Sequence, residues 1–180
     1  MKEVQPIRDS EKITQIKNEL KHQSYRDYFL FVMGINTGLR ISDLLPLKVK
    51  DVRSKTHITI KEKKTDKNKR FLINGSLRSE IEEYTANLDD EAYLFANQRT
   101  KEPIQRVQAY KILNRVAGKV GLKEIGTHTL RKTFGYHYYK RTKDVAMLQE
   151  IFNHSSPSVT KRYIGITQEE IDQTLEDFSL

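Results

Sequence analysis

Polar residues of reactive type are spread along the chain at places where elements start or stop. Arg40 follows a glycine break in Thr37-Gly38-Leu39-Arg40-Ile41-Ser42-Asp43-Leu44-Leu45, and a lysine-rich run surrounds Lys64-Thr65. His128 and Arg131 are three apart, hence on one face of a helix. His154 precedes a helix start, and Tyr163 follows nine residues later. Such side chains suit a phosphodiester. When an oxygen nucleophile attacks phosphorus, negative charge grows on the nonbridging oxygens. Two guanidiniums can grip those oxygens bidentately, and arginine stays protonated at any working pH. Removing one preorganised group of that kind typically costs about 10²–10³ in rate. A phenol with a pKa near 10 is a poor nucleophile at neutral pH, and nearby cations or a base improve it. Imidazole titrates in the range useful for a base or proton relay.

The elements that must hold these residues are mostly helical. Asp9 or Ser10 can cap a segment with Ile13, Ile16 and Leu20 at spacings of three and four. Residues 25–36 are apolar on several sides, as a buried helix would be. Gly38 and residues 42–45 open a further short helix. Residues 56–60 (THITI) alternate and are β-branched, and Arg70-Phe71-Leu72-Ile73 reads as their partner across a polar turn. Ser76 is expected to cap a helix with Leu77, Ile81, Tyr84 and Leu88 on one face, and residues 92–95 to form a third short strand. From Pro103 a helix is expected with Val107, Tyr110, Leu113 and Ala117 roughly in phase. Thr127 is expected to cap a helix reaching about Arg141, and Asp144 another with Val145, Leu148 and Ile151 inward. Ser156-Pro157 resembles an N-cap followed by proline at the first helical position. A last helix, about 168–178, puts Ile171, Leu175 and Phe178 on one side and acids on the other. The expected fold class is mainly α with a small antiparallel β-sheet (α+β), in one domain over residues 1–180.

Charge points to a polyanion. Thirty-two Lys and Arg against 24 Asp and Glu give +8. Residues 164–180 hold five acids (Glu169, Glu170, Asp172, Glu176, Asp177) and no Lys or Arg, so the other 163 residues carry +13. A basic body of this size suggests nucleic acid, the alternative being a merely soluble basic protein. Cysteine is absent, which removes disulfide frameworks, thiolate zinc sites, iron–sulfur clusters and cysteine nucleophiles. It also fits a reducing compartment. No run of about 18 apolar residues predicts a membrane span, and the first residues lack the apolar stretch of a secretory signal. A cytoplasmic location is expected.

Four blocks in order resemble the tyrosine recombinases, also called phage integrases, over about residues 8–175. TGLRISDLL is similar to the block holding the first arginine, EKKT to the hairpin with the catalytic lysine, and HTLRKTF to the His-x-x-Arg block. NHSSPSVTKRY is similar to the last block, with its histidine and nucleophilic tyrosine at the family spacing. The resemblance implies a recombinase catalytic-domain fold and a catalytic set of Arg40, Lys64, His128, Arg131, His154 and Tyr163. Lys63 is the rival to Lys64. Asp43 resembles the acid that helps hold the first arginine. The implied reaction is transesterification: Tyr163 forms a 3′-phosphotyrosyl link, with His128 as base or relay, Lys64 protonating the departing 5′ oxygen and His154 donating to a phosphate oxygen. No metal, ATP or other cofactor is expected, since bond energy stays in the phosphotyrosine and the cations neutralise the charge. The implied partner is double-stranded DNA, held by a tetramer on two duplexes through a Holliday junction, with a monomer open as the state without DNA.

Lys61, Lys63, Lys67, Lys69, Arg70, Lys132, Lys161 and Arg162 are expected to touch DNA phosphates, which position a protein without specifying sequence. His22 and His137 are read as structural, and Tyr136, Tyr138 and Tyr139 as packing or backbone-contacting residues. The terminal helix either folds back on its own core or docks on a neighbouring protomer. About 24 residues precede Tyr25, where family members carry an N-terminal helical clamp domain. The expectation is therefore a fragment of a longer protein, a naturally short member, or a decayed or repurposed gene. Phe152-Asn153-His154 stands where Leu-Gly-His is common, a mild change because Asn tolerates left-handed backbone. Two other readings are a catalytically silent DNA-binding regulator and a type IB topoisomerase-like enzyme that relaxes DNA as a monomer.

Overall fold

The computed structural model describes residues 4–61, 66–123, 125–176 and 178–180. Lys63 and Lys64 lie outside the described residues. Helix α1 (Ser10–Gln23) starts where Asp9 accepts from the Glu11 N–H, and it buries Ile16 and Leu20. Ser24 ends α1 and caps α2 (Tyr25–Thr37) by accepting from the Asp27 N–H. Helix α2 is buried continuously from Tyr28 to Gly34, so it runs through the middle of the main core. It stops at Gly38, whose φ of +64° is a left-handed conformation that costs glycine nothing. A Cβ there would also meet the Phe134 ring at 2.5 Å. The stop sends the chain directly into Leu39, Arg40 and the short helix α3 (Ile41–Leu44).

Strands β1 (His57–Lys61) and β2 (Asn68–Leu72) pair antiparallel, with Ile58 opposite Phe71 and Ile60 opposite Lys69. Ile58, Ile60 and Phe71 turn inward while Thr59 and Leu72 face out, the alternation a half-buried ribbon requires. Helix α4 (Gly75–Thr85) is capped by Asn74, which accepts from the Leu77 N–H at 2.9 Å. The cap expected at Ser76 is thus corrected: Ser76 already lies inside the first turn. Residues 92–95 are not a strand. One bridge, Lys48 to Tyr93, replaces it, and Leu94 and Phe95 are both buried, so alternation is lost.

Helix α5 (Arg106–Lys119) buries Ala109, Ile112, Leu113, Val116 and Ala117. The face expected from Val107 and Tyr110 is corrected, since these are 64% and 49% exposed. Helix α6 (Thr127–Thr142) begins after Gly126, whose N–H donates to Thr129 Oγ1. Thr127 is therefore the first helical residue and not the cap. Leu130 of α6 belongs to the main core, whereas Phe134 and Tyr138 pack against a second, smaller cluster. That cluster is built on Leu148 and Phe152 of α7 (Val145–Phe152) and Ile164 of α8 (Pro157–Ile164). Asp144 caps α7 through the Met147 N–H, and Ser156 caps α8 through the Val159 N–H, with Pro157 in the first turn. Gly135 lets these pieces close on α6: a Cβ there would meet Ile164 at 2.6 Å and Phe152 at 2.7 Å. Helix α9 (Gln168–Glu176) has no buried residue among those described, and Leu175 and Phe178 are 61% and 66% exposed. Among the described residues no helix is long and apolar enough to cross a membrane.

Candidate active site

The reactive side chains gather where α6 separates the two clusters. Arg131 is 2% exposed. Its Nη1 donates to the Gly38 carbonyl at 2.6 Å and its Nη2 to the Phe152 carbonyl at 3.0 Å. Its guanidinium carbon lies 4.2 Å from the centre of the Phe152 ring. One arginine thereby ties the end of α2, just before Arg40, to the end of α7, just before His154. The main-chain bonds fix the plane of the guanidinium fork, and a fixed fork can receive two oxygens without reorganising.

Arg40, Ser42, Arg106, Thr127, His128 and Arg131 line one cleft of about 230 Å³. Arg40 sits at the N-cap of α3 in extended backbone, half-buried. Asp43, expected to help hold it, is buried in the same short helix. Thr127 and His128 stand at the N-terminus of α6, where the helix dipole favours an anion. Arg106, the first residue of α5, was not singled out in the sequence. Its signal was an arginine at a helix start between the hairpin and the His-x-x-Arg block.

Tyr163, on the last turn of α8, is half-buried with its hydroxyl 3.5 Å from His128 Nδ1. That distance is long for a hydrogen bond. The Phe152 and His154 rings meet the Tyr163 ring at 5.6 Å and 5.0 Å between centroids, both near edge-on. Burial pushes the Tyr163 phenol above its ordinary pKa, and the charges of Arg131 and Arg40 pull against that rise. His154 Nδ1 pairs with Thr160 Oγ1 at 3.0 Å, and the His154 N–H donates to the Gln149 carbonyl, so the ring is held from both its backbone and its side. Asn153 has φ of 54°, the left-handed geometry expected of a residue standing at a glycine position.

Five of the six expected catalytic residues are therefore brought together; the sixth, Lys64, lies outside the described residues. The base of its hairpin is fastened nearby. Lys67 Nζ donates to Asn153 Oδ1 at 3.3 Å and Lys69 Nζ to the Ile151 carbonyl at 2.5 Å. Of the residues expected on DNA phosphates, Lys61, Lys67, Arg70 and Arg162 are exposed, while Lys69 and Lys161 are half-buried. Lys61 pairs with Asp66 at 2.8 Å. Lys132 differs from the surface contact expected of it: it is 6% exposed, with its Nζ 5.1 Å from the centre of the Tyr163 ring. His137 donates from Nε2 to the Ile7 carbonyl and His22 from Nδ1 to the Asn18 carbonyl, both structural arrangements. Tyr136 is buried and Tyr138 stacks on Phe134, so both pack.

Residues 8–170 match the phage integrase family. The chain is 58% identical over 166 residues to the probable integrase/recombinase YoeC of Bacillus subtilis (strain 168), covering 92% of each. It is 29% identical over 174 residues to the tyrosine recombinase XerA of Pyrococcus furiosus, covering 94% of this chain and 60% of that one. Among solved structures, a XerA recombinase matches with a TM-score of 0.77 at 20% identity, over 96% of this chain and 63% of that one. XerH site-specific recombinase bound to palindromic difH substrate, in a post-cleavage complex, matches with a TM-score of 0.75 at 21% identity, over 94% and 51%. At those identities the two structures speak for the fold. The chain thus spans nearly all of the Bacillus relative and between 51% and 63% of the other three. With the family match over residues 8–170 and the segments of Arg40, His128 and Arg131 meeting at one arginine-lined cleft, the chain belongs to the phage integrase family, the tyrosine recombinases.

Proposed function

We propose that this chain is the catalytic domain, residues 1–180, of a site-specific DNA recombinase that cleaves and rejoins strands through Tyr163. The observation that carries the reading is the convergence of Arg40, His128 and Arg131 on one cleft with the Tyr163 hydroxyl 3.5 Å from His128. The scissile phosphate sits in that cleft between the two guanidiniums. Tyr163 Oη forms a bond to phosphorus as the bond to the 5′ oxygen breaks. The phenol proton passes to His128, and the leaving oxygen takes a proton from Lys64, or from Lys63 if that is the residue in place. The result is a 3′-phosphotyrosyl link and a free 5′-hydroxyl. A 5′-hydroxyl of a second strand then attacks the link and releases the tyrosine, which needs neither ATP nor metal. His154, oriented by its contact with Thr160, donates to a phosphate oxygen. Arg106 adds a third cationic contact at the cleft edge.

Two further grooves continue from the cleft: the first shares Ser42 and Arg106 with it, and the second shares Pro103, Ile104 and Gln105 with the first. One is bounded by Ser42, Pro46 and Arg106, and the next runs along Asn97 to Gln108. Together they make a trough beside the exposed face of α5, and double-stranded DNA lies along it. Strand exchange proceeds through a Holliday junction in a tetramer on two duplexes, in the cytoplasm where the chromosome is accessible. The exposed Leu175 and Phe178 supply an apolar contact for a neighbouring protomer.

The test is trapping of covalent protein–DNA complexes in cells, comparing the unmutated chain with Tyr163→Phe and sequencing the attached DNA. Adducts at a few loci that vanish in Tyr163→Phe, with DNA binding retained, are the expected result. Equal adduct levels in both would leave a silent DNA-binding protein.

A further inference from the structure

Lys132 has a placement that a phosphate contact does not explain. Among the described residues only two cationic side chains are fully buried, Arg131 and Lys132, and they are adjacent on α6. Lysine is seldom buried to this degree, because its ammonium loses hydration that must be replaced. Arg131 is accounted for by the cleft and by two main-chain carbonyls. Lys132 does not line the cleft. Its Nζ stands over the ring of Tyr163 at 5.1 Å from the centroid, inside the range of cation–π attraction. The same ring has the Phe152 and His154 rings against it and His128 at its hydroxyl.

We propose that Lys132 is a positioning residue for the nucleophile: its buried ammonium holds the face of the Tyr163 ring and favours the phenol oxygen as it gives up its proton. This rests on the reading of Tyr163 as the nucleophile. The interaction strengthens along the reaction. A neutral phenol ring attracts a cation through its quadrupole, whereas a phenolate spreads real negative charge into the ring, which a cation at this distance attracts more. Binding that grows between ground state and transition state is the kind that accelerates a step.

Among the described residues, the charged and titratable groups facing Tyr163 include His128, Arg131 and Lys132 from α6, Arg40 from the segment before α3, and His154 from the segment before α8. Of these, Arg40 and Arg131 oppose the rise that burial imposes on the phenol. Both also hold the phosphate in the proposed complex, so a bound phosphodiester offsets their charge just when ionisation is needed. Lys132, set outside the cleft, keeps its effect on the ring with DNA in place.

The test replaces Tyr163 with difluorotyrosine, which ionises near neutrality, and follows its titration by fluorine NMR in the full chain without DNA. Lys132→Met should raise the midpoint by about one unit. Lys132→Arg should restore it to within a few tenths, and the exposed-residue control Lys55→Met should leave it in place. An unmoved midpoint in folded Lys132→Met would overturn the proposal. Should that variant not fold, the same coupling is read with Lys132 intact, from its side-chain carbon resonance. The lysine should titrate about one unit higher in the difluorotyrosine chain than in Tyr163→Phe, because linkage is reciprocal. Equal midpoints there would overturn the proposal as well. Adduct trapping separates this from the reading beneath it. Tyr163-dependent adducts with an unmoved midpoint would keep the nucleophile and discard the role of Lys132. Adducts unchanged in Tyr163→Phe would remove both.

Discussion

Arg131 does two tasks that a single substitution will not separate. Its guanidinium faces the cleft and also satisfies the carbonyls of Gly38 and Phe152. Arg131→Ala strands both carbonyls at about 1–3 kcal/mol each, so a lower urea midpoint should accompany lost cleavage. Arg131→Lys keeps the charge without the fork. Urea melts paired with the adduct assay should show it retaining more stability than activity, and full activity would remove the need for bidentate geometry. Asn153 makes a smaller case. Its left-handed backbone means Asn153→Ala should cost about 1–2 kcal/mol. Asn153→Gly should relieve the backbone but lose the Lys67 contact, and faster hydrogen exchange in β1 and β2 would register that loss.

At the scale of elements, Tyr163, the proposed nucleophile, is carried by the lesser of the two hydrophobic clusters. Three buried residues, Leu148, Phe152 and Ile164, anchor α7 and α8, whereas α2 is buried along most of its length. Local opening free energy follows the apolar contacts an element makes. Amides of α7 and α8 should therefore exchange before those of α2, and equal protection would contradict a separately yielding nucleophile unit. Gly135 is where that unit meets α6. Gly135→Ala forces a methyl into Ile164 and Phe152 at 2.6–2.7 Å. Overpacking of this kind costs about 1–3 kcal/mol in melts and should displace Tyr163 as well. Helix α6 runs Thr127–Thr142, close to the span expected from the sequence, although its apolar residues form no simple stripe. It has the main core on one side and the small cluster on the other, so no single apolar stripe marks it.

The whole molecule is a basic body with an acidic end. Phosphate contacts release counterions, so DNA affinity should fall steeply as salt rises. A flat dependence, measured by fluorescence anisotropy on duplex DNA, would argue against phosphate contacts by the basic body. The last residues contribute little to the chain's own packing, since Leu175, Phe178 and Leu180 are all exposed. Removing residues 175–180 should leave the thermal midpoint of the free chain nearly unchanged while reducing multimeric assembly on DNA. A lowered midpoint would assign that segment to its own core instead.

Much of this was legible in the order of residues. The helices of the N-terminal half, the β-hairpin, the caps at Asp9, Asp144 and Ser156, and the motif blocks around Arg40, His128, Arg131, His154 and Tyr163 are local patterns. Local patterns follow from backbone preference and spacing, which a chain carries without its fold. What the tertiary structure decided lies between distant segments. Tyr163 and His128 are 35 residues apart, and Arg131 bonds a carbonyl 93 residues away. The motif resemblance implied that these residues meet but carried no distance. The rotation of α5 that exposes Val107 and Tyr110, and the irregular 92–95 segment, depended on which neighbours arrived to pack. Lys132 is the sharpest instance. A lysine beside an arginine reads as a surface charge, because lysine is normally solvated. Only packing α6 between two clusters turned its ammonium inward, over the ring of the tyrosine.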